Sequence, residues 1–476
     1  MSNRDCRTTA NWGQRLTFFS IITALVCTIG VFQNCSKKGS NNSGSNTPLG
    51  GYAPKNFKSE GFGFGDRAPA SVQFLRSSHR VVASGLSDLD GDSLITGTFE
   101  AGGDKDVAVV RVGRDGLIQS AHTVGGDGQE EIRAQALAAG GRLLAVGNVR
   151  QNSAQGGFSR DGLVVVGDGS GLSMKSLSAG VVTGLSAITS DNGTFVAGFT
   201  SDSPRGDIKS PLIAQLDDNQ NVAWSRRLKG VESGEFLAIT DSGDQVVAVG
   251  YSNRSNFGRV SALIARFAKD GEFLSATEMS LGDTTQALAV AGTDDGGLVI
   301  GGSVTASGNE RGFIAKISAD NRLQWARLAQ EESRIQSVKS AGGDIVAVGS
   351  GTLANGNRNV VAIRLATNGV PKSQSILGGE LSSFFSGQAL AIGADGQARV
   401  AFNSTAAGGS YNPLGLARLG SASDDCGLIS SSDSRLLGSN AKVAAFSANA
   451  TRGGLHAVAQ DARSADMNLS SEDQCF

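Results

Sequence analysis

From residue 71 onward the chain is written in short runs of alternating apolar and polar residues, separated by turns built on Gly, Asp and Asn. Alternation with a period of two turns one face of each run toward a core and the other toward solvent, so these runs predict β-strands. Phe236 to Gly282 shows the pattern most plainly: FLAITDSGDQVVAVGYS, a polar interval NRSNFGRVS, then ALIARFAKDGEFLSATEMSLG. The second apolar run recurs as LITGT, LLAVGN, FVAGFT, VVAVGYS, LVIGGS and IVAVGS. The glycines Gly97, Gly147, Gly198, Gly250, Gly301 and Gly349 in these runs stand 50, 51, 52, 51 and 48 residues apart. Trp224 and Trp325 lie 101 residues apart, two periods, in VAWSRRL and LQWARLA.

Within each copy, two strands flank a tight turn (SDLDGDS, TSDNGT, TDSGDQ, TDDGG), a polar loop follows, and a second pair closes the unit (LIAQL-DDNQ-NVAWS, FIAKI-SADN-RLQWA). Four short antiparallel strands per repeat of about 50 residues make a unit too small to bury its own faces, and stacking such units predicts an all-β, β-propeller fold. A seventh copy, QALAIGADGQARVAFNS, carries Phe402 in place of the glycine, and an eighth, AAFSANATRGGLHAVAQ, keeps only the turn and the alternation. The repeats fall near 81–130, 131–180, 181–230, 231–282, 283–330, 331–379, 380–438 and 439–476. A spare strand in 68–78, with Phe74 near the place of Trp224, would complete the blade begun by the carboxyl end and remove an open edge. Eight four-stranded blades is therefore the expectation. Seven, with one terminal segment outside the ring, is the alternative.

The amino end reads as an address. Arg4, Arg7 and Arg15 precede an apolar run from Leu16 to Phe32, the layout of a secretory signal over 1–34. Cys35 follows in FQNCSKK. A Cys placed there resembles the lipobox of bacterial lipoproteins, with Phe32 and Asn34 where the family usually has Leu and a small residue. The resemblance implies a lipidated Cys35 and, through Ser36, sorting to the outer membrane. Residues 35–60, rich in Gly, Ser and Asn, predict a flexible tether reaching roughly 25 to 30 Å on average, ahead of a propeller over 61–476.

Composition narrows the functional classes. Gly is 66 of 476 residues against 7 Pro, with no Gly-X-Y period, which suits many tight turns. A net charge of −2 gives no field to draw in nucleic acid. With 3 His and no CxxC or HExxH, no metal or cofactor site is expected. Cys6 and Cys27 fall in the signal, leaving Cys426 and Cys475 as a possible disulfide. Asp88, Asp90 and Asp92 in DLDGDS read as a hairpin turn rather than a calcium loop. The basic series Arg111, Arg266, Lys316, Arg364 and Arg418 in the third strands, with Val166 and Gln215 as exceptions, reads as a packing device.

The loops between second and third strands share one end of the ring with the links between repeats. Six of them place a base just ahead of the third strand: Lys105, Arg160, Lys209, Arg259, Arg311 and Arg358. This candidate binding face would suit an acidic glycan or an acidic protein surface. Glu130, Glu131, Glu232, Glu331 and Glu332 can neutralise it, and the same loops also fit plain solvation.

Across residues 70–476 the repeat resembles the β-propeller repeats of bacterial envelope and secreted proteins, a likeness that implies fold rather than role. The reading is a monomeric, non-catalytic lipoprotein anchored in the bacterial outer membrane, whose propeller binds an envelope protein or glycan. A hydrolase or lyase with its site in the central channel is one alternative, and a purely structural envelope protein is another.

Overall fold

The computed structural model describes residues 71–77, 79–153, 157–168, 171–190, 193–253, 259–352, 356–378, 384–405 and 414–419, and after these only short strands between 429 and 473. The signal, Cys35, the tether, Cys426 and Cys475 lie outside the described residues. The chain is all-β, built of antiparallel sheets, and among the described residues the strands group as seven four-stranded meanders. Their inner strands are Arg80–Leu89, Gln129–Ala138, Val182–Thr189, Gly234–Ser242, Thr284–Gly292, the second half of the long strand Leu323–Ala341, and Phe384–Ile392. The first half of Leu323–Ala341 is the outer strand of the fifth unit.

The second and third strands are apolar on both faces, because both are covered. In the fourth unit Val246 and Ala248 belong to a core shared with the third unit, whereas Val247 and Val249 belong to one shared with the fifth. Among the described residues there are seven such clusters, each formed by two consecutive units, and one of them joins the seventh unit to the first through Ala389, Leu414 and Leu416 against Val81, Ile95 and Val110. No unit owns a core, so each depends on both neighbours for its burial.

The repeated glycine has a local cause. Every inner strand carries a bulge at one register position, between Ala83 and Gly85, Ile132 and Ala134, and at the equivalent places in the other five. The bulge drives a carbonyl toward the second strand: a Cβ at Gly250 would stand 1.8 Å from the oxygen of Glu235. Only glycine fits there. In the fifth unit register assigns the role to Gly302, one residue beyond the aligned Gly301. In the seventh, Phe402 faces Gly387, so the glycine has changed strands.

The ends depart from expectation. Strand Ser71–Ser77 does complete a sheet begun by the carboxyl half, pairing with Leu414–Leu419, but that sheet is the seventh. Ser71, not Phe74, takes the register place of Trp224. The segment expected as an eighth repeat forms no sheet of its own. The short strands from 429 on, the first two of them within the bounds expected for the seventh repeat, instead lie one by one on the outer edges of the seven units: Ile429–Ser432 on the sixth, Leu436–Gly438 on the fifth, Lys442–Ala445 on the fourth, Asn449–Arg452 on the third, His456–Ala459 on the second, Arg463–Asp466 on the first and Leu469–Asp473 on the seventh. A strand of three to five residues nucleates no sheet, whereas seven outer edges offer unpaired backbone groups to satisfy.

Candidate functional site

Tight joints between units set the geometry of the interior. Trp224, on the outer strand of the third unit, lies over Gly271 in the last turn of the fourth and donates its indole N–H to the Lys269 carbonyl at 3.0 Å. Arg226, two residues on, bonds Gly271 O at 2.8 Å. Trp325 and Arg327 repeat this on Thr367 and Gly369, each at 3.0 Å. Between the seventh and first units Gln73 takes the arginine's part and bonds Gly116 O. Arg418 also crosses that joint, to the carbonyls of Gly113 and Arg114. A second clip works at the inner strands: the residue after the repeated glycine, or after Phe402 in the seventh unit, accepts from an inner-strand amide of the next unit, Asn148 Oδ1 from Leu185 N at 3.1 Å and Asn403 Oδ1 from Ala83 N at 2.8 Å.

These joints enclose a cavity of about 1090 Å³. All seven inner strands contribute to its wall, through their carboxyl halves and the hairpin turns that follow, so it opens at the end bearing the short turns. Among the described residues no aromatic side chain lines it; aliphatic side chains such as Leu137 and Ile239 share the wall with hydroxyls, amides and charges, among them Ser87, Gln135, Thr240, Thr293, Arg266 and Lys339. Gln135 is fixed across the first joint, donating to Ser87 Oγ and Leu94 O at 2.9 Å each. Two of the wall's carboxylates are held by bases: Asp88 pairs with Arg399, which is 2 % exposed, and Asp241 with Lys269 at 3.1 Å. Burial, then the nearby Arg418 charge, depresses the Arg399 guanidinium to about 10.

Three of the five third-strand bases end in acids rather than over aromatics. Arg111 grips Asp92 at 2.7 Å, Lys316 grips Asp295 at 2.5 Å, and Arg364 shares the buried Asp344 with Lys372. Lysine bonding, followed by a Thr293 hydroxyl, lowers Asp295 to about 2. Burial raises the Asp344 carboxyl, but Lys372 and Arg364 outweigh it and hold it below the ordinary range. The cations over Trp224 and Trp325 are Arg226 and Arg327, at 5.6 and 5.9 Å. Asp88, Asp90 and Asp92 form no cation site: Asp88 and Asp92 are ion-paired and Asp90 makes the turn with φ of 53°.

No protein-family model matches the chain, and no curated relative is found. Among solved structures it is similar to Sqt1 of Chaetomium thermophilum, at 12% identity and a TM-score of 0.41 over 73% of this chain and 97% of that one. The acylaminoacyl peptidase of Pyrococcus horikoshii gives 11% and 0.40 over 68% of this chain, which spans about half (49%) of the peptidase. A xylan β-1,4-xylosidase from Bacillus halodurans gives 8% and 0.28 over 77% and 98%. Likeness at this level carries no argument, and the site rests on the chain's own geometry.

The six loop bases lie at the opposite end from the cavity mouth. Three are already ion-paired: Lys105 with Glu100 at 3.4 Å, Lys209 with Glu235 at 2.6 Å and Arg259 with Asp283 at 2.8 Å. Lys209 also stands 4.2 Å over the Phe199 ring. Arg358 donates to Ser350 Oγ at 2.9 Å, Arg311 faces Glu332 across its strand pair, and Arg160 is exposed beside the bridge to Val182. Of the loop acids, Glu131 pairs with Arg133 at 3.0 Å. Glu130 is buried, and desolvation followed by the Asp106 charge pushes its carboxyl from 4.5 up to about 7. Sequence reasoning offered a central channel as an alternative site but assigned no residue to its wall, because the wall is assembled from seven strands between Leu86 and Ala394.

Proposed function

We propose that the seven units close as a seven-bladed β-propeller and that the protein is a ligand-binding envelope lipoprotein, held to the bacterial outer membrane through Cys35. The observation carrying this reading is a single cavity to which every inner strand contributes. The seven shared cores, the last of them between the seventh and first units, support closure. A concave, pre-formed wall with convergent polar groups is the usual form of a binding site. Binding rather than turnover is favoured because the wall's Asp88 and Asp241 are engaged by Arg399 and Lys269, leaving them as charge partners rather than proton carriers. The ligand is a component of the envelope, an acidic glycan or an exposed protein segment, and the loop bases form a second face for the same partner. A Cys426–Cys475 disulfide would tie the edge strands at both ends.

The test is capture of envelope components by the full chain, compared with Ala341→Trp and Ala319→Trp, which fill the cavity mouth. Loss of capture in both variants, with unchanged urea midpoints, is the expected result. Capture undiminished by the plugs, but abolished by Arg259→Glu with Arg311→Glu and Arg358→Glu, moves the site to the loop end. Conversion of an extracted glycan or peptide by the wild-type chain would overturn the non-catalytic reading.

A further inference from the structure

One of the third-strand bases is set apart from its counterparts. In the first and sixth units the residue that opens the second strand is an acid, Asp92 or Asp344, and it neutralises the base two strand positions away, Arg111 or Arg364. In the fourth unit that opening position is Gln245. Arg266 therefore has neutral acceptors only: its Nε donates to Asn321 Oδ1 at 2.8 Å and its Nη1 to Gln245 Oε1 at 3.3 Å, and its Nη2 has none. Arg266 is 4 % exposed, and among the described residues no carboxylate lies within ion-pair distance of it. Burial alone lowers its basicity, with no acid acting to raise it.

A buried guanidinium without a counter-charge is costly, and chains ordinarily provide a partner. Arg266 and Gln245 both stand in the cavity wall. Lys339 adds a second cation to that wall, and Asp241 faces Lys269, 3.1 Å away; Asp294, in the neighbouring turn, is the exposed acid of the group. We infer that the fourth-unit wall is an oxyanion subsite in which Arg266 receives the carboxylate, sulfate or phosphate group of a hydrophilic ligand, with the counter-charge missing from position 245 supplied by that ligand. The planar guanidinium suits two-oxygen acceptance of such a group. The absence of aromatic side chains from the wall fits recognition by charge and hydrogen bonds rather than stacking. A local rule obeyed in two sheets and broken in a third, at the cavity, is where function is expected to show.

This inference rests on the cavity being the binding site, and its test separates the two. The full chain is titrated calorimetrically with sodium sulfate, inorganic phosphate and glucuronate, ionic strength held constant with chloride. Saturable binding of at least one of them is expected, weakened tenfold or more by Arg266→Gln and equally by Gln245→Asp. The second variant restores the internal ion pair of the first and sixth units, so it keeps or raises the urea midpoint, and lost binding cannot be put down to misfolding. Unchanged affinity in both variants, or no saturable binding of any of the three anions, overturns the inference. If plugging the cavity with Ala341→Trp abolishes capture of envelope components while Gln245→Asp leaves capture intact, the cavity reading stands and the oxyanion subsite falls.

Discussion

The two ends of the molecule use charge differently. At the loop end, bases and acids meet in solvent: Arg259 and Asp283 keep 52 and 58 % of their side-chain surface exposed while standing 2.8 Å apart. At the hairpin end charges sit in the wall of a cavity, as with Asp88 and Asp241, which keep 13 and 5 % of their side-chain surface exposed. Counting bases favours the loop end. Weighing them favours the hairpin end, because an exposed ion pair contributes about 0 to 1 kcal/mol whereas a buried charge must be answered by a partner. The number of charged residues on a surface is thus a poor guide to where recognition happens.

The comparison can be broken most severely by removing the scaffold both ends share. Gly250→Val places a side chain against the Glu235 carbonyl, and with the bulge displaced both the fourth inner strand and its two joints fail; a loss of about 3 kcal/mol or more, read as a fall in urea midpoint, is expected.

Glu130 is a buried acid at the loop end, and its effect is comparable but of opposite sign. Because its folded-state value is raised to about 7, the native protein keeps a proton that the unfolded chain releases above pH 4.5. Stability from this group is therefore highest below pH 4.5, falls as pH rises toward 7, and stays low beyond. The loss amounts to about 3 kcal/mol for a shift of this size. Glu130→Gln should flatten urea midpoints between pH 5 and pH 8 and stabilise the protein at pH 8. An unchanged slope would mean the carboxylate is solvated after all.

The smallest effect is expected from Asp283→Asn. Cutting this exposed pair should move stability by less than about 0.5 kcal/mol, and that shift should vanish in high salt. A loss of several kcal/mol would erase the contrast between the two ends.

Much of this architecture was legible in the chain, and the illegible parts share a cause. The alternating pairs and the glycine spacing carry local information: a bulge carbonyl needs glycine opposite, so Gly97, Gly147, Gly198, Gly250 and Gly349 mark their units directly, and Gly301 falls one residue short of Gly302 in the fifth. The eighth repeat misled because AAFSANATRGGLHAVAQ has the alternation of an inner hairpin, and alternation says nothing of which edge a strand will join. Phe74 was placed three residues away from the true counterpart of Trp224 because an aromatic was sought, where register puts Ser71. Arg266 was visible as one of a series, and setting the series beside the residues that open the second strands, Asp92, Gln245 and Asp344, would have singled it out. Its place in the cavity wall was beyond reach, since that depends on Asn321 and Ala319 from the next unit.

The strands after residue 429 visit the units in descending order, six to one, and finish on the seventh beside the strand that opens the structure. Mechanically this makes the tail a peelable seam. A pull on the carboxyl end loads Leu469–Asp473 first, then Arg463–Asp466, and so on around, each step breaking the few backbone bonds of one short strand while the meander beneath keeps its own. Tension is thus met in a series of small, separate releases rather than one rupture, and the seventh sheet, which holds both Ser71–Ser77 and Leu469–Asp473, is the first to feel it.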